Sequence, residues 1–313
     1  MNIQQFEYVI ALAETRHFEA AAERCFVTQS TLSTMIAKLE SELGIAIFDR
    51  KRKPLAITAE GQLLIDRMQI IVKEITQLNE VGKELKGEIK GELTLAVIPT
   101  IAPFLLPLFL QSFASKFPAL KIRVRELTTA EIMRQLKSRD LDIGIVSTPL
   151  LDNELEEYKL YDEPFVYFDA GKKHPKSVAV EKVDLRSLVL LEEGHCMRTQ
   201  VIHFCDIKRK PVSNRLNFEF KAGSIDSLLR FVRANKAATL IPYLATSEMP
   251  VRDLNRISRI AGHEPYRSVG LVVHRHFVKK RLLEFLQQEI IEKVSRVMPM
   301  KRMKGEELKP MGS

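Results

Sequence analysis

Residues 6–50 read FEYVIALAETRHFEAAAERCFVTQSTLSTMIAKLESELGIAIFDR, and this stretch decides the fold of the N-terminal region. Apolar residues recur at helical spacing in its first segment and predict a helix, and a second short helix is predicted for residues 17–25. A third helix is predicted for residues 30–43, where Thr28 can cap the start and Gly44 suits the left-handed position beyond the end. The apolar faces of the first and third helices consist of Phe6, Val9, Ile10, Ala13, Leu32, Ile36, Leu39 and Leu43.

Short polar side chains gather at the N-terminal end of the third predicted helix. Gln29, Ser30, Ser33 and Thr34 fall outside its apolar face, so the spacing predicts that they face outward. Gln can pair bidentately with adenine, and Ser or Thr can bond base edges or phosphates, so this end suits a DNA major groove. An ordinary solvated helix face is the alternative interpretation.

A basic tip and a long helix follow. Residues 45–58, IAIFDRKRKPLAIT, predict a wing whose two short apolar arms flank the cationic run 50–53, which suits contact with the phosphate backbone. Thr58 can cap the next helix, which is predicted to extend to about residue 86. Its apolar residues keep a heptad-like spacing, which needs a partner helix and predicts a dimer. These residues are Leu64, Met68, Ile71, Ile75, Leu78 and Leu85.

This order of helices, wing and long helix resembles the DNA-binding domain of the LysR-type transcriptional regulators. The resemblance implies a winged helix-turn-helix over residues 1–58 and a dimerisation helix with a hinge over residues 59–90. It also implies double-stranded promoter DNA and RNA polymerase as partners of a homodimer or homotetramer. The positions that match the family's DNA contacts are Gln29, Ser30, Thr31 and Ser33 on the recognition helix and Arg50 and Arg52 at the wing.

From residue 91 the pattern changes to strands that alternate with helices. Strands are predicted at 92–99, 120–127 and 141–147 with a helix between each pair, which indicates an α/β fold with a parallel open sheet. Ligands of such sheets bind beyond the carboxyl ends of the strands. Thr100 and Thr129 lie at these corners, where they either face the crevice or simply cap their helices.

The family resemblance continues through this region and implies a two-lobed regulatory domain like a periplasmic binding protein. On that basis lobe I comprises residues 91–162 and 268–300, and lobe II comprises residues 163–267. The polar tail, residues 301–313, is expected to be disordered.

The most specific chemical pattern is EEGHCMRTQVIHFC, residues 192–205, which holds two of the three cysteines. If the segment were one helix, the Cα atoms of Cys196 and Cys205 would lie about 13.5 Å apart, beyond the roughly 4.4–6.8 Å of a disulfide. A thiolate attacks peroxide to give a sulfenic acid, which a second thiol converts to a disulfide. His195 and Arg198 could supply positive charge or hydrogen bonds, and the two corner threonines could reach in from the other lobe.

The Gly-His-Cys sequence and the second cysteine resemble the peroxide-sensing OxyR branch of the LysR family. The resemblance implies that hydrogen peroxide is the signal, that Cys196 is peroxidatic, and that Cys205 resolves it in a reversible disulfide that activates antioxidant genes. Cys25 matches a cysteine that has no redox role in that branch. The sequence departs from the branch at Thr199, where Asp is usual, and at residues 235–238, where glycines are usual. Matching pocket positions are Thr100, Thr129, His195 and Arg267.

Three other interpretations stay open at this point. A LysR regulator could bind a small-molecule inducer between its lobes and use the cysteines only for packing. His195, Cys196, His203 and Cys205 are chemically permissible zinc ligands, although an adjacent His and Cys fit a tetrahedral site poorly. A thiol peroxidase would need no DNA-binding head, which the first 86 residues argue against.

The composition is that of a globular protein, with 313 residues, 45% hydrophobic and 28% charged. No apolar run is long enough for a membrane span and no signal peptide is recognisable, so a cytoplasmic protein without a membrane partner is expected. The net charge of +8 does not itself indicate DNA, because residues 1–90 carry −1 and the remainder +9. No glycine motif for phosphates is present, and neither a cofactor nor a metal is predicted.

Overall fold

The fold is described from a computed structural model. It describes residues 1–86, 89–173, 175–179, 183, 188–192, 196–204, 220–262, 264–298 and 305–310. The chain forms two compact units, Met1–Gly87 and Glu88–Ser313, and each is described by itself. None of the described helices is both long enough and apolar enough to cross a lipid bilayer.

The N-terminal unit is a winged helix-turn-helix followed by a long helix. Its elements are α1 (Ile3–Thr15), α2 (Phe18–Arg24), α3 (Gln29–Leu43), β1 (Phe48–Asp49), β2 (Ala56–Ile57) and α4 (Ala59–Leu85). The predicted caps of α3 are confirmed, because the Thr28 hydroxyl accepts the N–H of Thr31 and Gly44 takes the left-handed conformation with φ 66°. The antiparallel pair β1–β2 is the predicted wing. Residues of the predicted apolar faces, Phe6, Val9, Leu32, Ile36 and Leu39, fill the core.

The apolar residues of α4 fall into two groups, one buried and one exposed. Ile65 and Met68 are buried in the core of the winged helix-turn-helix, so Met68 does not belong to an exposed seam as its spacing predicted. Further along α4, Ile71, Leu78 and Leu85 are 43%, 68% and 83% exposed. The heptad-like pattern therefore begins as an intradomain contact, and only in its later part do its apolar side chains stay largely exposed.

The start of α4 lies against the strand that leads into the wing. A Cβ atom placed on Gly61 would lie 2.3 Å from the carbonyl oxygen of Ile47, a separation that no real side chain occupies. The Thr58 hydroxyl accepts the N–H of Gly61 and donates to the Ala46 carbonyl, which holds the two segments together. Glycine at position 61 is therefore required by close backbone approach.

We expect Gly61→Ala to destabilise the N-terminal unit by about 1–3 kcal/mol, because backbone atoms must move to admit the methyl group. Gly82→Ala on the same helix is the matched control, since a Cβ there meets nothing within 4 Å. That control should stabilise α4 by about 0.5–1 kcal/mol through its higher helix propensity. Calorimetric unfolding of the full chain measures the change in stability for both variants. Equal changes at the two positions would contradict the requirement for glycine at position 61.

The second unit is a mixed α/β domain. Its strands are β3 (Gly91–Val97), β4 (Leu120–Glu126), β5 (Ile143–Thr148), β6 (Leu155–Asp169), β7 (Ser177–Ala179), β8 (Ala238–Pro242), β9 (Ile257–Ala261), β10 (Pro265–His274) and β11 (Glu306–Glu307). Its helices are α5 (Ala102–Lys116), α6 (Thr129–Lys137), α7 (Cys196–Phe204), α8 (Ile225–Ala234), α9 (Val251–Leu254) and α10 (Lys280–Val297), with a 3-10 helix at Tyr243–Thr246. The predicted alternation of strands and helices over residues 92–147 is confirmed.

One sheet runs through both lobes of this unit, in the order β4-β3-β5-β10-β6-β9-β7. Strand β3 is parallel to β4 and to β5, as the alternation predicted, whereas β10 pairs antiparallel with β5 and β6. The first part of β6 pairs with β10, and its last part pairs with β8 and β9. Two separate apolar cores result, a lobe I core around β3, β5, α5 and α10 and a lobe II core around β8, β9 and α8.

The C-terminal residues 305–310 pack against this unit, in contrast to the disorder expected of the tail. Strand β11 pairs in parallel with the start of β10, and the N–H of Leu308 donates to the carbonyl of Tyr266. The Leu308 side chain is 4% exposed and belongs to the lobe II core. The buried Leu308 and a short strand thus fix part of a mostly polar tail.

Candidate functional site

The N-terminal end of α3 presents the predicted polar side chains. Gln29, Ser30 and Thr31 are exposed and Ser33 is half-buried. The Thr28 hydroxyl lies 3.0 Å from that of Ser30 and 2.8 Å from that of Thr31, so the capping residue also orients two of these side chains. Gln29 extends from the first turn of the helix, where a groove-reading side chain is placed in helix-turn-helix proteins.

The two wing arginines have different surroundings. Arg50 donates to the Glu40 carboxylate at 3.0 Å, and its guanidinium lies 5.5 Å from the centre of the Phe18 ring. The same carboxylate accepts the N–H groups of Ile47 and Phe48, so Arg50 completes a network that holds the wing to α3. The Arg52 side chain is 75% exposed, with a 3.4 Å ion pair to Asp49. Arg52 is therefore more available to a phosphate than Arg50.

A thiol pocket lies where α7 begins. Cys196 is the first residue of α7 and its side chain packs against the lobe I core, while the next residue, Met197, is buried in the lobe II core. Burial raises the pKa of the Cys196 thiol above its ordinary value. The Arg267 charge, the Ser147 and Thr129 hydroxyls and the Met197 N–H act in the opposite direction without overcoming burial. The resting thiol is accordingly held protonated beside groups that favour its thiolate.

The two corner threonines do not cap their helices. The cap of α6 is Thr128, whose hydroxyl accepts the N–H of Glu131, and no side chain caps α5. Thr129 instead directs its hydroxyl to the thiol, and the Thr100 hydroxyl accepts a hydrogen bond from Arg267 at 2.9 Å. The capping interpretation is thus wrong for both residues, and the structure brings them together with Arg267 and Cys196.

Arg267 is held by a partner that sequence reasoning missed. Its Nε and Nη2 donate to one oxygen of the Glu163 carboxylate at 2.9 and 2.7 Å, and both side chains are 1% exposed. Ser147 was missed as well, although it lies at the carboxyl end of β5, where the position relative to a parallel sheet could have identified it. No local signal marks Glu163, since its role depends on a residue 104 positions away.

Other predicted site residues lie apart or outside the described chain. Arg198 donates to the Leu191 carbonyl at 2.9 Å, so part of its guanidinium is used by the backbone. His195 and Cys205 lie outside the described residues, which leaves both the disulfide pairing and the zinc alternative as predictions. Cys25 packs against the N-terminal core, and burial raises its pKa.

Both units match established family models. Residues 3–62 match the bacterial regulatory helix-turn-helix protein, lysR family, and residues 86–292 match the LysR substrate binding domain. The chain belongs to the LysR family. The order of a winged helix-turn-helix, a long helix and a two-lobed domain is therefore the architecture of a DNA-binding transcription regulator.

Within the LysR family the similarity is to OxyR proteins, which confirms the resemblance seen in the cysteine pattern. The chain is 34% identical over 275 residues to the DNA-binding transcriptional dual regulator OxyR of Escherichia coli, covering 87% of this chain and 89% of that protein. The hydrogen peroxide-inducible genes activator of Dickeya chrysanthemi shows the same identity and coverage. A full-length OxyR variant from Pseudomonas aeruginosa superposes with a TM-score of 0.72 at 26% identity, covering 93% of this chain and 98% of that one.

For this LysR regulator we expect Arg52→Ala to weaken binding to random duplex DNA without loss of stability. If Arg52 meets one phosphate, the slope of log affinity against log salt should become shallower by about 0.9. Arg50→Ala should lower the thermal stability of the N-terminal unit as well, because it removes a partner of Glu40. Fluorescence anisotropy at several salt concentrations, beside thermal unfolding, separates the two; an unchanged slope for Arg52→Ala would remove it from the interface.

Thr129→Val should raise the pKa of Cys196 further, because the lost hydroxyl is one of the groups that favour the thiolate. The alkylation rate of Cys196 should then fall at neutral pH, and its rise with pH should shift to more alkaline values. Thr128→Val is the matched control, since it removes the α6 cap but not a group that acts on the thiol. Peptide-resolved alkylation across pH checks this, and equal shifts in both variants would count against the pocket assignment.

Proposed function

We propose that this LysR regulator is a transcriptional activator that hydrogen peroxide switches on through a reversible disulfide between Cys196 and Cys205. The observation that carries the proposal is the Cys196 thiol at the start of α7, placed between two lobes beside the Thr129 and Ser147 hydroxyls and the Arg267 charge. The identity to OxyR proteins, including a relative named for peroxide-inducible genes, supports the same signal.

The pocket favours peroxide chemistry through positioned hydrogen-bond groups. Because the Cys196 pKa is raised, its thiolate is a minor species at neutral pH. Even an ordinary thiol of pKa about 8.5 is only about 3% ionised at pH 7, so ionisation cannot be the main source of reactivity. Hydroxyls and a guanidinium around the sulfur can instead hold a peroxide in line and donate to the oxygen that leaves.

The reaction is balanced by the two cysteines and one peroxide. The Cys196 thiolate attacks one peroxide oxygen, the O–O bond breaks, and the departing hydroxide takes up a proton to leave as water. The resulting sulfenic acid is attacked by the Cys205 thiol, which forms the S–S bond and releases a second water. Two electrons pass from two thiols to one peroxide, and a cellular thiol reductant reverses the change.

Closing the disulfide requires helix α7 to open. Eight residue steps from Cys196 to Phe204 rise about 12 Å along a helix, and the next Cα is about 3.8 Å from that of Phe204. While α7 is intact, the Cα atoms to be bridged stay at least about 8 Å apart, and a disulfide allows at most about 7 Å. Oxidation therefore drives a refolding of the segment, which is how a small chemical change becomes a conformational one.

The proposed refolding would disrupt the contacts of α7. Met197 and Val201 are 2% and 1% exposed in the lobe II core. The buried Gln200 amide donates to the Leu308 carbonyl, which ties α7 to the C-terminal segment. Loss of these contacts alters the packing of lobe II, and we propose that this change repositions the DNA-binding units of a homodimer or homotetramer on promoter DNA. The exposed Ile71, Leu78 and Leu85 of α4 support self-association, and RNA polymerase is the proposed partner of the activated state.

Thiol mapping after about one equivalent of hydrogen peroxide tests the proposed function. The wild-type protein should lose two hydrogen atoms in a bridge that maps to Cys196 and Cys205. Cys205→Ser should trap a sulfenic acid at Cys196, and Cys196→Ser should remain reduced. Cys25→Ser is the control and should behave like the wild type. If both thiols survive excess peroxide, the proposal fails and a small-molecule inducer between the lobes becomes the better hypothesis.

A further inference from the structure

The buried pair of Glu163 and Arg267 joins the two strands that run between the lobes. The residues lie directly opposite each other in the antiparallel register of β6 and β10. One oxygen of the carboxylate accepts both bonds from the guanidinium, and the other accepts the N–H of Leu244 at 2.8 Å. The Phe165 ring lies 5.8 Å from the guanidinium carbon. Glu163 is thus fixed at both oxygens and cannot turn away from Arg267.

The hydrogen bonds of Arg267 are shared between Glu163 and Thr100. A guanidinium has five N–H groups, and within the described chain two donate to Glu163. Two more donate to Thr100, one to its hydroxyl at 2.9 Å and one to its carbonyl at 3.1 Å. One N–H, on the nitrogen that also holds the Thr100 hydroxyl, is left for a group in the pocket. The carboxylate clamp therefore decides where that N–H points.

The same geometry orients the Thr100 hydroxyl. Because its oxygen accepts a bond from a cation, its own hydrogen is available to donate, and the positive charge makes it a better donor. Thr100 is 2% exposed, so water competes little for that hydrogen. Glu163 therefore orients the Arg267 guanidinium, and Arg267 in turn orients the Thr100 hydroxyl.

We propose that Glu163 is a positioning residue for peroxide reduction, which holds Arg267 and, through it, the Thr100 hydroxyl at the place where the leaving oxygen is protonated. The inference rests on the proposed function of Cys196. In the step concerned, the sulfur–oxygen bond forms as the O–O bond breaks, and the departing hydroxide takes a proton through Thr100. The proton that the thiol released resupplies the hydroxyl, so one thiol and one peroxide give one sulfenic acid and one water.

Glu163 also balances the charge beside the thiol. An uncompensated guanidinium at this position would favour the thiolate more strongly than the neutral pair does. Loss of the carboxylate should therefore affect two reactions in different ways. A reagent that needs only a thiolate should react faster, because the Arg267 charge is no longer neutralised. Peroxide should react more slowly, because it also needs the positioned proton donors.

The experiment compares two rates at Cys196 in the full chain carrying Glu163→Gln, namely sulfenic acid formation by hydrogen peroxide and alkylation by iodoacetamide. Glutamine keeps an oxygen for the Leu244 N–H but cannot clamp the guanidinium as a carboxylate does. Peroxide reaction should slow by about tenfold or more, since positioned proton donors contribute roughly 10²–10⁴-fold. Alkylation at the same pH should be unchanged or faster. Both reactions are followed in a Cys205→Ser background.

Asp162→Asn is the matched control, because Asp162 lies next to Glu163 on β6 but accepts from Ser268 at 2.8 Å rather than from Arg267. It should change neither rate. Should Glu163→Gln not fold, Glu163→Asp carries the test, since it keeps the charge and withdraws the carboxylate by one methylene. Equal slowing of both reactions, or no change in either, overturns the positioning role. A wild-type protein that does not react with peroxide instead overturns the proposed function.

Discussion

The regulatory unit depends on one buried ion pair, Glu163 with Arg267. Two charges removed from water are tolerated when they are paired and hydrogen-bonded. Here both carboxylate oxygens and four of the five guanidinium N–H groups have partners inside the protein. The pair crosses between β6 and β10, the strands on which both lobes are built. It thereby fixes the connection between the lobes and brings a cation to the thiol that lies between them. The same ion pair therefore links the two lobes and places a positive charge beside Cys196.

The second constraint is the helical state of residues 196–204. A helix keeps its ends apart by a fixed rise, so the two cysteines of the OxyR pattern cannot meet while α7 persists. Its apolar side is buried in lobe II, and its Gln200 holds the C-terminal segment through Leu308. On the proposed function, the energy of these contacts opposes disulfide formation, and we expect the switch to be bistable and not continuously adjustable.

The N-terminal unit holds a recognition helix and a wing rigidly while it leaves apolar residues of its long helix exposed. Helix α4 has both buried and exposed apolar residues. Met68 is part of the core, whereas Ile71, Leu78 and Leu85 remain outside it. Arg50 contributes to the same rigidity by its bond to Glu40, although its charge alone suggested a phosphate contact. Side chains that look equivalent in a run of charges or in a heptad pattern can thus differ. Some are engaged in contacts within the domain, and others remain exposed.

The amino-acid sequence by itself determined the helices of the N-terminal unit, the caps of α3, the wing, and the alternation of strands and helices, because these depend on spacing over a few residues. It also placed Thr100 and Thr129 at the ends of strands, where a parallel sheet gathers its functional groups. Only the tertiary structure decided between capping and pocket roles for those threonines, turned Arg198 to the Leu191 carbonyl, and revealed Ser147 and Glu163. It also placed Leu308 in a core. These outcomes depend on contacts between residues as much as 167 positions apart, which no local periodicity encodes.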